Sequence, residues 1–313
     1  MDNNKKIPLS IKDLRKKQGK KLFLYVLPGL IYVFIFSYMP LWGLGYAFVK
    51  YKPGMPLFDS EFVGFHNFTV LFSNAVIRRN VFRSLTNTLG IHFLGYLLMP
   101  LPMVFAIFLN ELKSKRFKKV IQTVSTLPHF ISWVIMFALA SSFLSSSGIV
   151  NTSLIELGVI EKPINVLTTD KHVWITQVLL GEWKGLGWAA IVYFAAIAGI
   201  DQELYEAAMI DGAGRMKRIW YITVPHLMPT FFVLFIMSIG NLLNTGVDQY
   251  FVFGNAMNKE FIETFDLYVY NLGIGSGQIS YGVAVGLLKS VVALILFSSA
   301  NVLSKKIRGY SIM

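Results

Sequence analysis

The sequence predicts an all-α, polytopic membrane protein with six transmembrane helices, and three observations carry that prediction. Of 313 residues, 54% are apolar and only 15% are charged, whereas a soluble domain is about one-quarter charged. The mean hydropathy is +0.55. Six apolar runs also reach the roughly 20 residues needed to cross a bilayer. The chain has no Cys, which excludes a disulfide-stapled module and Cys-ligated zinc or iron–sulfur centres.

The first run, Leu22–Phe48, follows a basic tail at 1–21. It is longer than the apolar core of a cleavable signal and has no small-residue end, so it is expected to remain as an anchor. A polar segment at 49–86 separates it from a core domain at 87–303, and a short tail at 304–313 closes the chain. The core holds the other five runs: Asn87–Leu109, Val124–Ser145, Val173–Ala198, Met228–Tyr250 and Tyr281–Leu303. No internal repeat is evident.

Basic residues fix the expected orientation. They crowd the first tail (Lys5, Lys6, Lys12, Arg15, Lys16, Lys17, Lys20, Lys21), then Lys113–Lys119, then Arg215, Lys217 and Arg218, and finally Lys305, Lys306 and Arg308. All four groups fall on one side of a six-span chain. By the positive-inside rule that side is cytoplasmic, with both termini. The formal net charge of +12 is thus topological, and it needs no nucleic-acid partner.

Catalytic signals are missing. There is no G-x-x-x-x-G-K-[ST] phosphate loop. The histidines His66, His92, His129, His172 and His226 form no metal-ligand pair. The glycine-rich words at Gly212–Gly214 and Gly273–Gly277 follow no strand and read as turns. The chain is expected not to be an enzyme and to carry no cofactor or metal.

The specific signal lies in the connection at 199–227. Glu206-Ala207-Ala208 is followed by Met209-Ile210-Asp211-Gly212, then nine residues, then Ile222-Thr223-Val224-Pro225. This E-A-A-x3-G-x9-I-x-[LV]-P pattern resembles the coupling loop of type I ABC importer permeases. Leu127–Trp133, Trp183–Trp188, Ala198–Glu206 and Asn301–Met313 strengthen the resemblance. They are similar to the carbohydrate permeases of the lipo-oligosaccharide and aldouronate branch, which import complex oligosaccharides. Two departures are small: Val224 stands where Leu is usual, and Gln202 stands where Pro is common.

The resemblance implies a maltose-permease-like fold in a bacterial plasma membrane. It also implies a second homologous permease, two ATPase subunits that bind ATP and Mg, and an extracellular lipoprotein that delivers the oligosaccharide. Glu206, Ala207, Ala208, Asp211, Gly212 and Arg215 would then dock the ATPase.

The loop makes physical sense without the resemblance. Glu203–Ile210 is a run of good helix formers. Gly212 can adopt the left-handed conformation that ends a helix. Arg215, Lys217 and Arg218 begin a second short helix, and Pro225 leads into the fifth span. The alternative to docking is an ordinary helical hairpin at the membrane surface.

Further candidates lie inside the spans. Ser238, Asn241, Thr245 and Asp248 recur at spacings of 3, 4 and 3, with Asn244 beside them, and so share one helical face. Such a stripe lines a wet pathway or bonds neighbouring helices. Trp183, Trp188 and Tyr193 either stack on sugar rings or serve as anchors and packing. Gly181/Gly185 and Gly282/Gly286 are expected to mark close helix packing. Glu182 and Lys289 have matching depths, so Lys289 is expected to be compensated by Glu182 or by a polar group of the partner permease, while Asp248 lines the outer mouth. A secondary carrier using Glu182, Asp248 and Lys289 as ion relays is the competing function, but the lack of a repeat argues against it.

Overall fold

The computed structural model describes residues 11–308. Parts of both predicted tails, 1–10 and 309–313, lie outside the described residues. The first apolar run is a single rod, formed by α1 (Ile11–Val33), a π-helical turn (Phe34–Tyr38) and a 3-10 segment (Met39–Phe48). Pro28 lies within α1 and Pro40 opens the 3-10 segment. The apolar window of Gln18–Phe48 is 0% buried within this chain, so almost all of its apolar surface faces lipid or another protein. Only its last turns join the body, where Ala47 packs with Leu71, Ala284 and Val285.

The segment after it forms a small cap. Strand β1 (Val49–Lys50) pairs antiparallel with β2 (Glu61–Phe62), Val49 opposite Phe62. Helix α2 (His66–Ser73) then places buried Asn67 under the ribbon. The Asn67 amide donates to the carbonyls of Ala47 at 2.9 Å and Val49 at 3.0 Å. Those bonds tie the cap to the end of the first rod.

The second crossing runs from α3 (Ala75–Leu98) through a two-residue turn at Met99–Pro100 into α4 (Leu101–Asn110). Its start is a correction, since the boundary expected at 86/87 falls inside α3. Asn74 begins the helix by accepting from the N–H groups of Val76 and Ile77. Arg78, Arg79 and Arg83 lower the hydropathy of the first turns without breaking them.

The third apolar run is not one helix. It divides into α5 (Lys115–Thr126), a 3-10 turn (Leu127–Phe130) and α6 (Trp133–Leu144), followed by α7 (Ile149–Glu156). Pro128 fits the start of the 3-10 turn, and the chain then extends through Ile131 and Ser132 before α6 restarts. The Lys184 ammonium donates to the carbonyls of Pro128, His129 and Ile131. This intramembrane cation is therefore spent on satisfying broken backbone, the condition under which such breaks are tolerated in lipid.

The fourth run matches α8 (Val173–Ala198). A bend of 69° separates it from α9 (Gln202–Ile210). Next, α10 (Arg215–Arg218), a π-helical turn (Ile219–Thr223) and α11 (Val224–Gly240) form one uninterrupted helix. The expected second short helix is thus the first turns of the fifth span itself. Pro225 has no N–H to donate, and the wider π turn just before it absorbs the mismatch.

The fifth span ends at Gly240, not Tyr250. Residues 241–247 are not helical, and they lead to α12 (Asp248–Phe253), α13 (Lys259–Ile262), α14 (Phe265–Tyr270) and a π turn (Asn271–Gly275). The last helix, α15 (Ile279–Arg308), contains the sixth run. Counting the bent α8–α9 pair as one span, six helices among the described residues are long and apolar enough to cross a membrane.

Glycines set two close approaches. A Cβ at Gly187 of α8 would lie 2.3 Å from the Ser125 backbone of α5, and one at Gly282 would lie 2.7 Å from the Gly273 Cα. Gly282 therefore packs tightly, as expected. Gly185 does not, since its Cβ position meets nothing within 4 Å.

Candidate functional site

Helix α9 is built by local rules at both ends. The Asp201 carboxylate accepts from the Glu203 N–H at 3.0 Å, capping the first turn of α9. At the other end Gly212 adopts φ +75°. Its N–H donates to the Met209 carbonyl at 3.1 Å, and the Ala213 N–H donates to the Ala208 carbonyl at 2.8 Å. That pair of bonds is the Schellman arrangement, which needs a left-handed residue at this position. The Tyr205 hydroxyl and the Thr223 hydroxyl, 2.9 Å apart, hold α9 against the π turn that precedes α11.

The result is a rigid projection. Glu206, Ala207, Asp211, Gly212 and Arg215 are exposed and Ala208 is half-buried. No ion pair involves Glu206, Asp211 or Arg215 among the described residues. The small Ala side chains are flanked by exposed Leu204, Met209 and Met216, and by Ile210 at 87% exposure. These apolar neighbours were not singled out in the sequence, although their placement one turn to either side of the Ala pair was visible there.

The other candidates separate on inspection. Because the helix stops at Gly240, Ser238, Asn241, Thr245 and Asp248 do not form one helical stripe. Asn241 sits at the end of α11 and accepts from the Asn244 amide at 3.4 Å. Thr245 and Gly246 donate their N–H groups to one Asp266 carboxylate oxygen at 2.9 and 3.0 Å. Asp248 is exposed at the start of α12.

The expected Glu182–Lys289 pair is also corrected. Lys289 forms its ion pair with Asp266, their side chains only 14% and 17% exposed. Asp266 therefore neutralises the cation of α15 and fixes the turn that ends the fifth span. It was legible as an acid inside the apolar word Phe265–Tyr270, but the span assignment placed it in a solvated connection.

Glu182 instead faces a cavity of about 350 Å³ between α3, α8, α11 and α12. His92, Tyr96, Gln177, Ser238 and Gln249 supply its other polar walls. The Gln249 amide donates to the Gln177 side chain at 3.0 Å, and the Tyr96 hydroxyl donates to the Ser238 carbonyl at 3.2 Å. The Glu182 carboxylate has no hydrogen-bond or ionic partner among the described residues. Gly181 and Gly185 open the same wall, which explains why that pair does not pack against a helix.

The aromatic candidates divide too. Tyr193 is 2% exposed and packs within the core of α4, α8 and α11. Trp188 lies flat on His129, ring centres 4.4 Å apart, with Phe130 against its edge. Trp183 remains exposed. At the end of the molecule remote from α9, Asn80, Arg83, Lys259, Asn271, Gln278 and Tyr281 line a second, more polar cleft of about 500 Å³.

Known proteins share this architecture. Protein LplB of Bacillus subtilis (strain 168) is 40% identical over 299 residues, covering 93% of this chain and 90% of its own. The polygalacturonan/rhamnogalacturonan transport system permease protein YteP of the same organism is 40% identical, with 92% and 89% coverage. The crystal structure of a bacterial ABC transporter involved in import of the acidic polysaccharide alginate superposes with a TM-score of 0.81 at 34% identity. That match covers 95% of this chain and 98% of the other. The alginate transporter bound to an alginate pentasaccharide-loaded periplasmic protein gives the same TM-score at 33% identity, with 96% and 99% coverage. The family model described as "Binding-protein-dependent transport system inner membrane component" matches residues 99–309, and the chain belongs to that family.

Proposed function

We propose that this chain is one of two permease subunits in an ATP-driven oligosaccharide importer, coupled to a separate ATPase through α9. The observation that carries the reading is the projection itself. It is capped at both ends, unpaired in charge, and bent 69° away from a span. A surface hairpin with no partner has no need of exposed Leu204, Met209 and Ile210 ringing a small-residue Ala pair. Glu206, Asp211 and Arg215 give that surface its polar contacts with an ATPase that binds ATP and Mg. Both termini then lie in the cytoplasm, on the side of α9.

The cavity around Glu182 is this chain's contribution to the translocation pathway. Its carboxylate, amide and hydroxyl groups suit the vicinal hydroxyls of a saccharide, and Trp183 offers an open ring nearby in sequence. Relatives named for polygalacturonan, rhamnogalacturonan and alginate support an oligosaccharide cargo received from an extracellular binding lipoprotein. A second homologous permease completes the pathway.

The ion-relay alternative loses ground on one observation. Of its three groups, Lys289 is neutralised by Asp266 and Asp248 is exposed at an α12 terminus. The test is purification with the neighbouring transport genes expressed. Co-elution with an ATPase, and ATP hydrolysis stimulated by the oligosaccharide-loaded binding protein, is the expected result. Ion-coupled uptake by this chain alone would overturn the proposal.

A further inference from the structure

Helix α5 is not an ordinary core helix, for none of its residues is buried. Its side chains fall on three faces. Lys118, Ile121, Gln122 and Ser125 are half-buried and turn toward α8, where Ser125 meets Gly187 and the Lys118 ammonium lies 5.9 Å from the Phe194 ring centre. These two contacts set the direction of α5. Its first turn lies at the end of α8 that leads into α9, and its last turn lies deeper in the membrane.

The second face is an apolar ridge. Phe117, Val120, Val124 and Leu127 follow one another at spacings of 3, 4 and 3, and each is 55–59% exposed. From Phe117 to Leu127 the rise is about 15 Å at 1.5 Å per residue. That matches one leaflet of a hydrocarbon core about 30 Å thick. The third face is cationic. Lys113, Lys115, Arg116 and Lys119 are exposed at the head of the ridge. None has an ionic partner among the described residues, and the sequence holds no acidic residue between Glu111 and Glu156.

We infer that this face of α5 is a binding site for an anionic phospholipid. The phosphate sits among Lys115, Arg116 and Lys119, and an acyl chain runs along Phe117, Val120 and Val124. Both halves of the amphiphile are matched in register, headgroup by cations and chain by a ridge one leaflet long. A soluble ATPase suits the cations but not the ridge, because the ridge continues into the membrane. A partner permease suits the ridge, yet it would need a dense acidic patch to meet four unpaired cations.

The experiment uses the assembled transporter in nanodiscs of phosphatidylcholine with or without phosphatidylglycerol. Retention of phosphatidylglycerol is read by native mass spectrometry after mild delipidation. At roughly fivefold per cation near an anionic surface, the triple variant K115Q/R116Q/K119Q should lose retention by more than an order of magnitude while keeping its ATPase subunits. Unchanged retention overturns the proposal, and so does loss of the ATPase from the triple variant in phosphatidylcholine alone. Since this chain has no Cys, Val120→Cys provides a second reading. Labelling by a lipid-dissolved maleimide in the intact complex is expected. Protection by the partner permease would overturn the site.

Discussion

The α9 projection and the segment at 241–278 are both connections between spans, yet they are held in opposite ways. α9 is fixed by neighbours in sequence, through the Asp201 cap and the Gly212 turn. The other connection is fixed from afar. The Phe265 N–H donates to the Thr88 hydroxyl at 2.8 Å, and Arg83 donates to Glu263 at 2.8 Å. Asn87 donates to the carbonyls of Glu260 and Glu263, while Asp266 pairs with Lys289. Thr88, Asn87, Glu263 and Phe265 are buried. The difference teaches that one connection stands at the surface on its own local bonds and the other is part of the core, although both are irregular stretches in the sequence.

The largest expected effect tests the second region. Asp266→Ala leaves Lys289 mostly buried and unpaired, and frees the N–H groups of Thr245 and Gly246. Removing one partner of a buried pair costs about 3–5 kcal/mol, enough to lower the yield of assembled complex severely. The double variant Asp266→Asn with Lys289→Met should recover much of that yield. Glu182→Gln should not rescue Lys289→Met, because the two groups do not pair. Rescue by Glu182→Gln would restore the pairing expected from span depths and undo the assignment of Asp266.

The second prediction acts on the first region and should spare assembly. The Cβ position of Gly212 meets nothing within 4 Å, so a side chain there costs only the left-handed backbone, roughly 1–2 kcal/mol. Gly212→Ala should therefore leave complex yield intact and reduce coupled uptake modestly. Gly212→Asp adds a carboxylate to the docking surface and should nearly abolish uptake in reconstituted vesicles. Equal effects of the two variants would mean that backbone strain alone matters and that no partner approaches Gly212.

Legibility follows the same division. The six crossings, their rough order and the coupling motif are visible because hydropathy and capping act over a few residues. The Val173–Ala198 span was read to the residue, since no breaker interrupts it. The third run fails at Pro128 and Ser132, whose broken backbone is compensated by Lys184 from another helix. The fifth fails at Gly240, Asn244 and Gly246, three residues that break helices although the polar spacing of 3, 4 and 3 continues across them. Asp266 was missed for a different reason: its partners are 20 to 23 residues away, beyond any local pattern. Tyr193 looked like a ligand group, but burial on the α4 side makes it core.

A third, smaller effect belongs to the open cavity. Glu182→Gln keeps volume and hydrogen bonding while removing the carboxylate from the cavity wall. Assembly should be unchanged, since no ion pair is lost. Uptake of a uronate-containing oligosaccharide should rise relative to that of a neutral one, because a negative wall no longer faces the cargo. Equal change for both cargoes would remove Glu182 from the pathway.

The smallest effect makes the sharpest test of the comparison. Asp201→Ala removes the side-chain cap from the first turn of α9, a loss of about 1 kcal/mol. Because α9 buries none of its residues, that fraying should not reach the core, and the thermal midpoint of the complex should hardly move. The consequence is confined to the projection, which spends more time partly unwound. ATP hydrolysis should then become less responsive to the loaded binding protein, by roughly fivefold at most, which is what 1 kcal/mol allows. Asp201→Ser restores a capping oxygen and should restore the response, although it removes the charge. If Asp201→Ala instead depresses assembly as strongly as Asp266→Ala, the projection is not a locally held surface but part of the core. If Asp201→Ser fails where assembly is normal, the Asp201 charge itself contacts the ATPase, and the docking surface extends one turn further toward α8 than the Glu206–Arg215 stretch.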